Sequence, residues 1–491
     1  MGQPIVPILT AGVWSEPAVE EFTPVHNPSV GEVIFRTPMC GAREVDAAVQ
    51  ASTVAYASWS KTPPTKRAGV MFRYRELLEQ HYEELSQTIV RENGKTLEEA
   101  RGDVRRGLEV VELACAIGQL AKGESLPRVA DGVDGVTMRE PIGVCAGITP
   151  FNFPAMVPMW MFPIALACGN AFILKPSEKV PLTANRLGEL LGEAGLPEGV
   201  FNIVHGGRDV VAALCTHPGI TAISFVGSSP VAKYVYETGC ANGKRVQSAG
   251  GAKNVLLALP DAAPDPTIRA IMGSAFGCAG QRCMAGSLLM GIGGATHDLR
   301  DQVVAAMDDL VVDDTLANAD AGMGPVIDGG AQSRLFERID ESARTGTKVV
   351  RDGREQPHER GFFVAPTLFD EVTPDHPTYG EELFGPVLSV MHPRTLAEAI
   401  EWINRIPYGN AGTIFTSSGS AARQFALEAE CGMIGINLGV PAPMALFSFS
   451  GWDRSFYGDL HVQGTEGVLF YTRQKTVLSR WDDNYVRVQG W

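Results

Sequence analysis

The sequence lacks the surplus of basic residues that proteins binding nucleic acids or anionic membranes usually carry. Its 41 lysines and arginines are outnumbered by 56 aspartates and glutamates, which gives a formal net charge of −15. Because polyanions repel such a chain, neither a nucleic acid nor a membrane surface is expected as its main partner. Hydrophobic residues make up 45% of its 491 residues, which excludes a disordered chain and allows about three domains with a large core.

Targeting and membrane signals are also scarce. The first residues, MGQPIVPILTAGVW, contain no basic segment, which argues against a signal peptide and favours a cytoplasmic location. One apolar stretch, 155–174, is long enough to cross a bilayer. Because Pro158, Pro163 and a Gly169-Asn170 turn interrupt it, we interpret it as a short helix followed by a buried strand.

No framework of paired cysteines is present. The nine cysteines are an odd number and are scattered, as expected of a reduced cytoplasmic protein. Cys278 and Cys283 lie five residues apart, but no further cysteine or histidine pair completes a zinc site. We therefore predict that the protein binds no metal.

The hydrophobic pattern predicts two α/β series. Residues 42–120 show helical spacing of apolar residues, and from about 141 short apolar strands alternate with turns and amphipathic helices. A second series of the same kind begins at about 253. This order predicts parallel sheets with helices on both faces, which bind ligands beyond the carboxyl ends of their strands. The alternating segments 135–141 and 466–477 fit neither series and are expected to pair as a projecting ribbon that serves subunit contact.

Two residues could carry covalent chemistry. Cys283, in GCAGQRCMA, is surrounded by small residues, and the positive charge of Arg282 favours its thiolate. A buried, inert thiol is the alternative. Asn152, in PFNFP, could donate its amide to an oxyanion, or could only cap the following helix.

Two loops could bind a nucleotide. Lys175 and Glu178, in KPSE, could hydrogen-bond a ribose, and the FVGSS loop at 225–229 enters a helix whose N–H groups could meet a pyrophosphate. The alternative for each is an ordinary helix start. An intact GxGxxG fingerprint is absent, since GIGGAT at 291–296 lacks the third glycine.

Seven motifs occur in an order and spacing that resemble the aldehyde dehydrogenase superfamily over essentially the whole chain. They are PFNFP, KPSE, FVGSS, GGAKN, GQRCMA, EELFGPV and IPYGN. GKRVQ before GGAKN and MALFSFSGWDRSFYGD at 444–459 resemble its CoA-acylating methylmalonate (malonate) semialdehyde dehydrogenases most. The resemblance implies an α/β fold with a Rossmann-type NAD domain (1–120 and 141–252), a catalytic domain (253–450) and an oligomerisation ribbon (121–140 and 464–491).

The resemblance also implies roles for single residues. Cys283 would attack the aldehyde carbon, and the Asn152 amide with the Cys283 N–H would hold the resulting oxyanion. The implied NAD contacts are Thr149, Phe151, Lys175, Glu178, Lys179, Ser228, Gly250 and Glu382. Lys175 and Glu178 would take the adenine ribose and Glu382 the nicotinamide ribose. A carboxylate at Glu178 would repel the 2′-phosphate of NADP and so favour NAD.

One expected carboxylate is missing. Hydrolytic relatives carry a glutamate 34 residues before the nucleophile, and that position is Ala249. Losing a base that activates water costs about 10²–10⁴ in rate, whereas coenzyme A is a better nucleophile and needs less help. The resemblance therefore implies coenzyme A as the acyl acceptor. The subfamily usually carries asparagine at this position. Because this chain has alanine, the positioning that the asparagine would provide is not expected here.

A semialdehyde carboxylate requires cations near the thiol. Arg282 precedes Cys283, and Arg106 is the second carboxylate ligand by resemblance, because spacing alone does not separate it from Arg105. The implied reactions convert methylmalonate semialdehyde to propionyl-CoA and malonate semialdehyde to acetyl-CoA, with loss of CO₂. Such reactions belong to valine, β-alanine or inositol breakdown. The resemblance also implies a homotetramer. The alternatives are a hydrolytic dehydrogenase for another acidic aldehyde and a non-catalytic relative that binds NAD.

Overall fold

The computed structural model describes residues 3–293, 295–355 and 358–481. The helices are α1 (Ala42–Trp59), α2 (Pro64–Gln80), α3 (Tyr82–Asn93), α4 (Leu97–Cys115), α5 (Ile117–Leu120), α6 (Met156–Cys168), α7 (Pro181–Glu193), α8 (Arg208–Thr216), α9 (Ser229–Ala241), α10 (Pro264–Ala275), α11 (Ala295–Asp308), α12 (Gly329–Arg344), α13 (Pro377–Gly380), α14 (Leu396–Asn404), α15 (Gly419–Glu428) and α16 (Gly464–Phe470), with 3₁₀ turns at Gly277–Gly280 and Gly353–Glu355.

The strands alternate with these helices over most of the chain. They are β1 (Ile8–Thr10), β2 (Val13–Ser15), β3 (Phe22–Asn27), β4 (Glu32–Pro38), β5 (Ser125–Ala130), β6 (Val133–Pro141), β7 (Val144–Ile148), β8 (Ala171–Lys175), β9 (Phe201–Ile203), β10 (Ile220–Val226), β11 (Arg245–Ala249), β12 (Asn254–Ala258), β13 (Gly286–Gly291), β14 (Lys348–Arg351), β15 (Thr367–Asp370), β16 (Val387–Met391), β17 (Tyr408–Gly409), β18 (Ala411–Phe415), β19 (Met433–Ile436), β20 (Trp452–Asp453), β21 (Phe456–Tyr457) and β22 (Thr472–Arg480).

The apolar stretch 155–174 folds as its prolines and turn predict. It forms α6 and then β8, with Gly169 between them in the left-handed conformation that glycine adopts without strain. The α6 residues from Val157 to Cys168 are all buried, as expected of a helix that is apolar on every side. Within the described ranges no helix combines the length and apolarity needed to span a bilayer.

The first sheet has the order β2-β1-β9-β8-β7-β10-β11-β21. Strands β7 to β11 are parallel, and the chain moves outward from β7 in one direction through β8 and β9 and in the other through β10 and β11. Both faces are covered, since Phe172 and Leu174 of β8 pack into one core and Ala171 and Ile173 into another. The gap between the ends of β7 and β10 is therefore a switch point of the kind that binds nucleotides.

The second sheet has the order β14-β15-β16-β13-β12-β18-β19 and is parallel except for β14. It surrounds a separate core that includes Leu256, Leu288 and Val390. The short strand β21 lies beyond the second series in sequence but pairs with β11 in the first sheet. The proposed domain boundaries remain predictions, and this return of the chain shows that the later residues serve both sheets.

A third sheet, β22-β6-β5, contains the predicted ribbon. β22 pairs with β6 from Thr472↔Pro141 to Arg480↔Val133. The strand begins six residues later than the alternation at 466 suggests, because Gly464–Phe470 forms α16. Asn170 ties the ribbon to the first sheet: its amide donates to the Tyr471 carbonyl at 2.9 Å, and its oxygen accepts from Ile142 and Gly143. Residues 482–491 of the predicted ribbon lie outside the described residues.

Candidate active site

The switch point of the first sheet brings several of the predicted nucleotide-binding residues to one edge. Thr149 follows β7 and donates its backbone N–H to the carbonyl of Lys175, the last residue of β8. Ser228 follows β10 and is exposed at the start of α9, where unpaired helix N–H groups attract anions. The edge thus offers a cation, a hydroxyl and a helix N-terminus.

Lys175 and Glu178 form an ion pair at this edge. Their Nζ and Oε2 atoms are 3.0 Å apart, and the Glu178 carbonyl accepts from the Thr37 hydroxyl at 2.7 Å. Burial tends to raise the pKa of Glu178, but the charge and hydrogen bond of Lys175 outweigh it, so the pKa is lowered and the carboxylate stays ionised. Lys179 points elsewhere: it pairs with Asp328 at 2.6 Å and lies 5.4 Å over the Phe151 ring.

Two glycines allow close approaches after the end of β11, of the Arg454 carbonyl to Gly250 and of Glu382 to Gly251. A Cβ on Gly250 would lie 2.6 Å from the Arg454 carbonyl, and one on Gly251 would lie 2.3 Å from Glu382 Oε2. Burial raises the pKa of Glu382 to about 7, although the Ala252 N–H and the Lys253 charge oppose it. Burial likewise lowers the pKa of Lys253 to about 8. Burial thus shifts the pKa of each group towards its neutral form.

A left-handed turn carries Cys283. Cys278, Ala279 and Gly280 have φ values of 51°, 52° and 67°, and a Cβ on Gly280 would lie 2.1 Å from the Gly385 carbonyl. The Cys283 carbonyl accepts hydrogen bonds from the side chains of Asn254 and Asn410, each at 2.8 Å. The main chain that carries the thiol is thus fixed by the turn and by two side-chain amides, one in β12 and one directly before β18.

The thiol itself is not pre-ionised. Burial raises the pKa of Cys283 to about 12, and the negative charge of Glu382 adds to that rise. The N–H groups of Cys283 and Met284 and the charge of Arg282 act in the opposite direction but are weaker. The charge of Arg282 favours the thiolate, as expected, but desolvation has the larger effect on the pKa of Cys283.

Asn152 faces the turn that carries Cys283. Its Nδ2 donates to the Gln281 carbonyl at 3.0 Å, and the side chain is almost fully buried. An amide nitrogen has two hydrogens, so the second remains for an oxygen held at the thiol. The Gln281 side-chain oxygen accepts from the Ile327 N–H at 3.1 Å, which fixes the turn from the other side.

The two candidate carboxylate ligands already have partners. Arg282 donates to Glu99 at 3.0 Å and to the Gly273 carbonyl at 3.2 Å. Arg106 contacts Glu109 Oε2 at 3.1 Å and the sulfur of Met444 at 2.7 Å. Met444 begins the MALFSFSGWDRSFYGD segment, so Arg106 faces a segment that carries the resemblance.

Arg105 differs from its neighbour. It forms a two-pronged ion pair with Glu79 at 2.7 and 3.1 Å and lies 5.0 Å over the Tyr82 ring. Successive helix residues point about 100° apart, which follows from 3.6 residues per turn. The structure thus separates two arginines that spacing alone leaves equivalent.

The position of the missing base is the last residue of β11. Ala249 is 7% exposed, pairs with Val226 on one side and Phe456 on the other, and belongs to the core against which Cys283 packs. Its methyl group supplies no proton acceptor. A water molecule near the thiol would gain no base from this residue.

Four residues that support the site are not among those predicted from the sequence: Asn254, Asn410, Asn93 and Lys95. The first two lie in GGAKN and IPYGN, which served there only as motifs, and the structure shows that they hold the Cys283 carbonyl. Asn93 and Lys95 donate to the carbonyls of Phe151 and Asn152 from the end of α3. Local sequence holds no signal for such contacts, because their partners are 29 to 127 residues away.

Among the described residues, one group has the composition of a metal site: His297, Asp370 and His392. The Asp370 carboxylate already accepts from His392 at 2.6 Å and from Arg300 at 2.6 Å, and the arginine opposes a second cation. This group is best described as an ion-pair network, and the prediction of no metal stays a prediction.

A model of the aldehyde dehydrogenase family matches residues 14–477. The chain belongs to this family. Among its relatives, malonate-semialdehyde dehydrogenase 2 of Geobacillus kaustophilus is 48% identical over 472 residues, which are 96% of this chain and 97% of the relative. Malonate-semialdehyde dehydrogenase of Halalkalibacterium halodurans is 47% identical over 471 residues, with the same coverage.

Solved structures of the family superpose closely. The methylmalonate-semialdehyde dehydrogenase of Oceanimonas doudoroffii has a TM-score of 0.96 at 44% identity, covering 98% of this chain and 99% of its own. An NAD complex of a Sinorhizobium meliloti protein assigned to the same activity has a TM-score of 0.96 at 42% identity and equal coverage. The predicted family and fold class are confirmed.

Proposed function

We propose that this aldehyde dehydrogenase is an NAD-dependent, CoA-acylating enzyme for methylmalonate semialdehyde, and for malonate semialdehyde as a second substrate. The observation that carries the proposal is Ala249 at the end of β11, because the position at which hydrolytic relatives carry a water-activating glutamate has no carboxylate. The relatives named malonate- and methylmalonate-semialdehyde dehydrogenase support the choice of substrate.

The first step uses the two residues that meet at the turn. The Cys283 thiol gives up its proton to solvent as the sulfur attacks the aldehyde carbon. The oxyanion of the resulting thiohemiacetal accepts hydrogen bonds from the free N–H of the Asn152 amide and from the Cys283 N–H. When bound, NAD supplies the acceptor for the hydride that leaves this carbon. The chain's residues fit that cofactor, since Glu178 is ionised beside Lys175 at the nucleotide edge of the sheet. The product on the enzyme is a Cys283 thioester.

The substrate carboxylate then leaves as CO₂. We propose that Arg106 and Arg282 hold it beforehand, through guanidinium hydrogens that their contacts with Glu109 and Glu99 leave free. The electron pair from the broken carbon–carbon bond passes to the carbon beside the thioester, which takes a proton. The sulfur of coenzyme A next attacks the thioester carbonyl and releases Cys283, giving propionyl-CoA or acetyl-CoA.

We would test this by following NADH after mixing the enzyme, NAD and malonate semialdehyde, with and without coenzyme A. The expected result is one NADH per active site, then a stall that coenzyme A relieves. Cys283→Ala should abolish the burst. Cys240→Ala, at the exposed cysteine, should keep it and serves as the matched control.

The other outcomes identify the alternatives. Steady turnover without coenzyme A would establish a hydrolytic aldehyde dehydrogenase for acidic aldehydes and overturn the proposal. Absence of a burst, with Cys283 still open to alkylation, would establish a non-catalytic relative that binds NAD.

We further propose that the enzyme works as a cytoplasmic homotetramer in valine, β-alanine or inositol breakdown. All nine cysteines are free, in keeping with a reducing compartment. The ribbon exposes apolar side chains, with Leu126 60% and Leu478 65% accessible. Such an edge can be covered by another subunit. Light scattering of the purified protein would give the mass, and a monomer would contradict the tetramer.

A further inference from the structure

A charged pair lies wholly inside the protein, directly behind Asn152. Lys95 Nζ and Asp103 Oδ2 are 3.0 Å apart, and neither side chain is exposed to solvent. Removing two charges from water usually costs about as much as their attraction returns, or more. Stability alone therefore gives no reason for this pair, and its other contacts are informative.

The remaining contacts of Lys95 are with the PFNFP segment. Its Nζ donates to the Asn152 carbonyl at 2.6 Å and lies 4.1 Å from the centre of the Phe153 ring. Hydrogen bonds from an ammonium group are stronger than those between neutral groups. Lys95 thus holds the main chain of the residue whose amide faces the Cys283 turn.

Two neighbouring side chains form hydrogen bonds with the main chain on both sides of Asn152. Asn93 donates its amide to the Phe151 carbonyl at 3.0 Å. The second oxygen of Asp103 accepts the Met156 N–H at 2.7 Å, at the start of α6. Residues 151, 152 and 156 are therefore fixed from the end of α3 and from α4 by charged or amide side chains.

The support is itself rigid. Gly94, between Asn93 and Lys95, has a φ of +87°, and a Cβ there would lie 2.7 Å from Pro325. The Thr315 hydroxyl donates to the Lys95 carbonyl at 2.9 Å. The main chain of Lys95 is thus held from its own side, so its side chain can transmit a fixed position.

We infer that Lys95, held by Asp103, is a positioning residue for Asn152, keeping the amide where the thiohemiacetal oxygen forms. Lys95 acts through Asn152 and touches no reacting atom. The inference rests on the proposed role of Asn152 in the proposed reaction. A displacement of about 1 Å at such a donor can cost about 100-fold in rate.

The test measures the rate constant of the NADH burst in the full-length enzyme. Lys95→Met should lower it by about 10- to 100-fold, while the KM for NAD and the alkylation rate of Cys283 stay within about twofold. A general loss of structure would change all three. Asp103→Asn, which keeps the shape and removes the charge, should show a smaller loss of the same kind and serves if Lys95→Met does not fold.

Glu92→Gln is the matched control. Glu92 is equally buried and lies near the end of α3, just before Lys95 in the sequence, but it accepts from Leu182 and Thr183 at the start of α7. Its substitution should lower the melting temperature and leave the burst rate unchanged. An equal loss of burst rate in Glu92→Gln would overturn the inference, because any buried change near α3 would then suffice.

Asn152→Ala separates the inference from the proposed function. It should lower the burst rate, and adding Lys95→Met should cause little further loss, since both changes remove the same donor. If Asn152→Ala has no effect, the proposed role of Asn152 fails. If Asn152→Ala lowers the rate and folded Lys95→Met or Asp103→Asn does not, only the positioning role is refuted.

Discussion

The raised pKa of Cys283 leads to a quantitative prediction about alkylation of the ligand-free enzyme. The pKa rises from an ordinary value of 9.0 to about 12, chiefly through burial. At pH 8 this lowers the thiolate fraction by about 1000-fold, while the higher basicity makes each thiolate about 20-fold more reactive. Cys283 should therefore react with iodoacetamide about 50-fold more slowly than an ordinary thiol.

The pH dependence gives the sharper assay. The logarithm of the alkylation rate, followed by mass spectrometry of the Cys283 peptide, should rise by about one per pH unit from pH 7 to 10 without a plateau. Glu382→Gln should react faster than the wild type above pH 7, where Glu382 is ionised, because its negative charge raises the pKa of the thiol. The two proteins should converge below pH 6, where Glu382 is protonated. The exposed Cys240, whose own pKa is raised by partial burial and by the charge of Asp459, serves as the internal reference for comparing the two proteins. A plateau below pH 9 would show that the thiol is activated and would refute this reasoning.

Four further predictions concern the neighbouring residues. Ala249→Glu should raise the rate of NADH turnover without coenzyme A by about 10²-fold or more, because it restores a base for water. Ala249→Gln, which has no such base, should leave that rate unchanged. Glu178→Gln should lower kcat/KM for NAD and reduce the preference for NAD over NADP, since the carboxylate that repels the 2′-phosphate is gone. An unchanged preference would show that other residues select the cofactor. Arg106→Leu should raise the KM for the semialdehyde, while Arg105→Leu, whose partner is Glu79, should not. Gly280→Ala should destabilise the fold by about 1–3 kcal/mol in urea unfolding, unlike Gly118→Ala, which meets open space.

The fold follows from local patterns because strand and helix periods are properties of neighbouring residues. The division of 155–174 into α6 and β8 is an example, since its breaking residues stand in the sequence itself. The pairing of β21 with β11 is not predictable in this way, because it joins residues more than 200 positions apart.

The site divides in the same manner. Cys283 and Asn152 stand out by residue type and by their surrounding motif. The direction in which the pKa of Cys283 shifts depends on how far the folded chain excludes water from the thiol. The presence of Arg282 next to Cys283 in the sequence gives no information about that burial. The hydrogen bond from Lys95 to Asn152 joins a buried ammonium group and a buried carbonyl group that come together only in the folded chain.

The ribbon has a consequence for how the protein is made. β6 ends at Pro141, but its partner β22 begins at Thr472, about 330 residues later. At about 5–20 residues per second, the ribosome needs roughly 15 to 65 s to supply that partner. During this interval β6 has an open edge with Val136 and Met138, a template for pairing between nascent chains. A chain that ends before Tyr471 would also leave Asn170 without its carbonyl partner, so C-terminal truncations that remove Tyr471 and β22 should aggregate during synthesis.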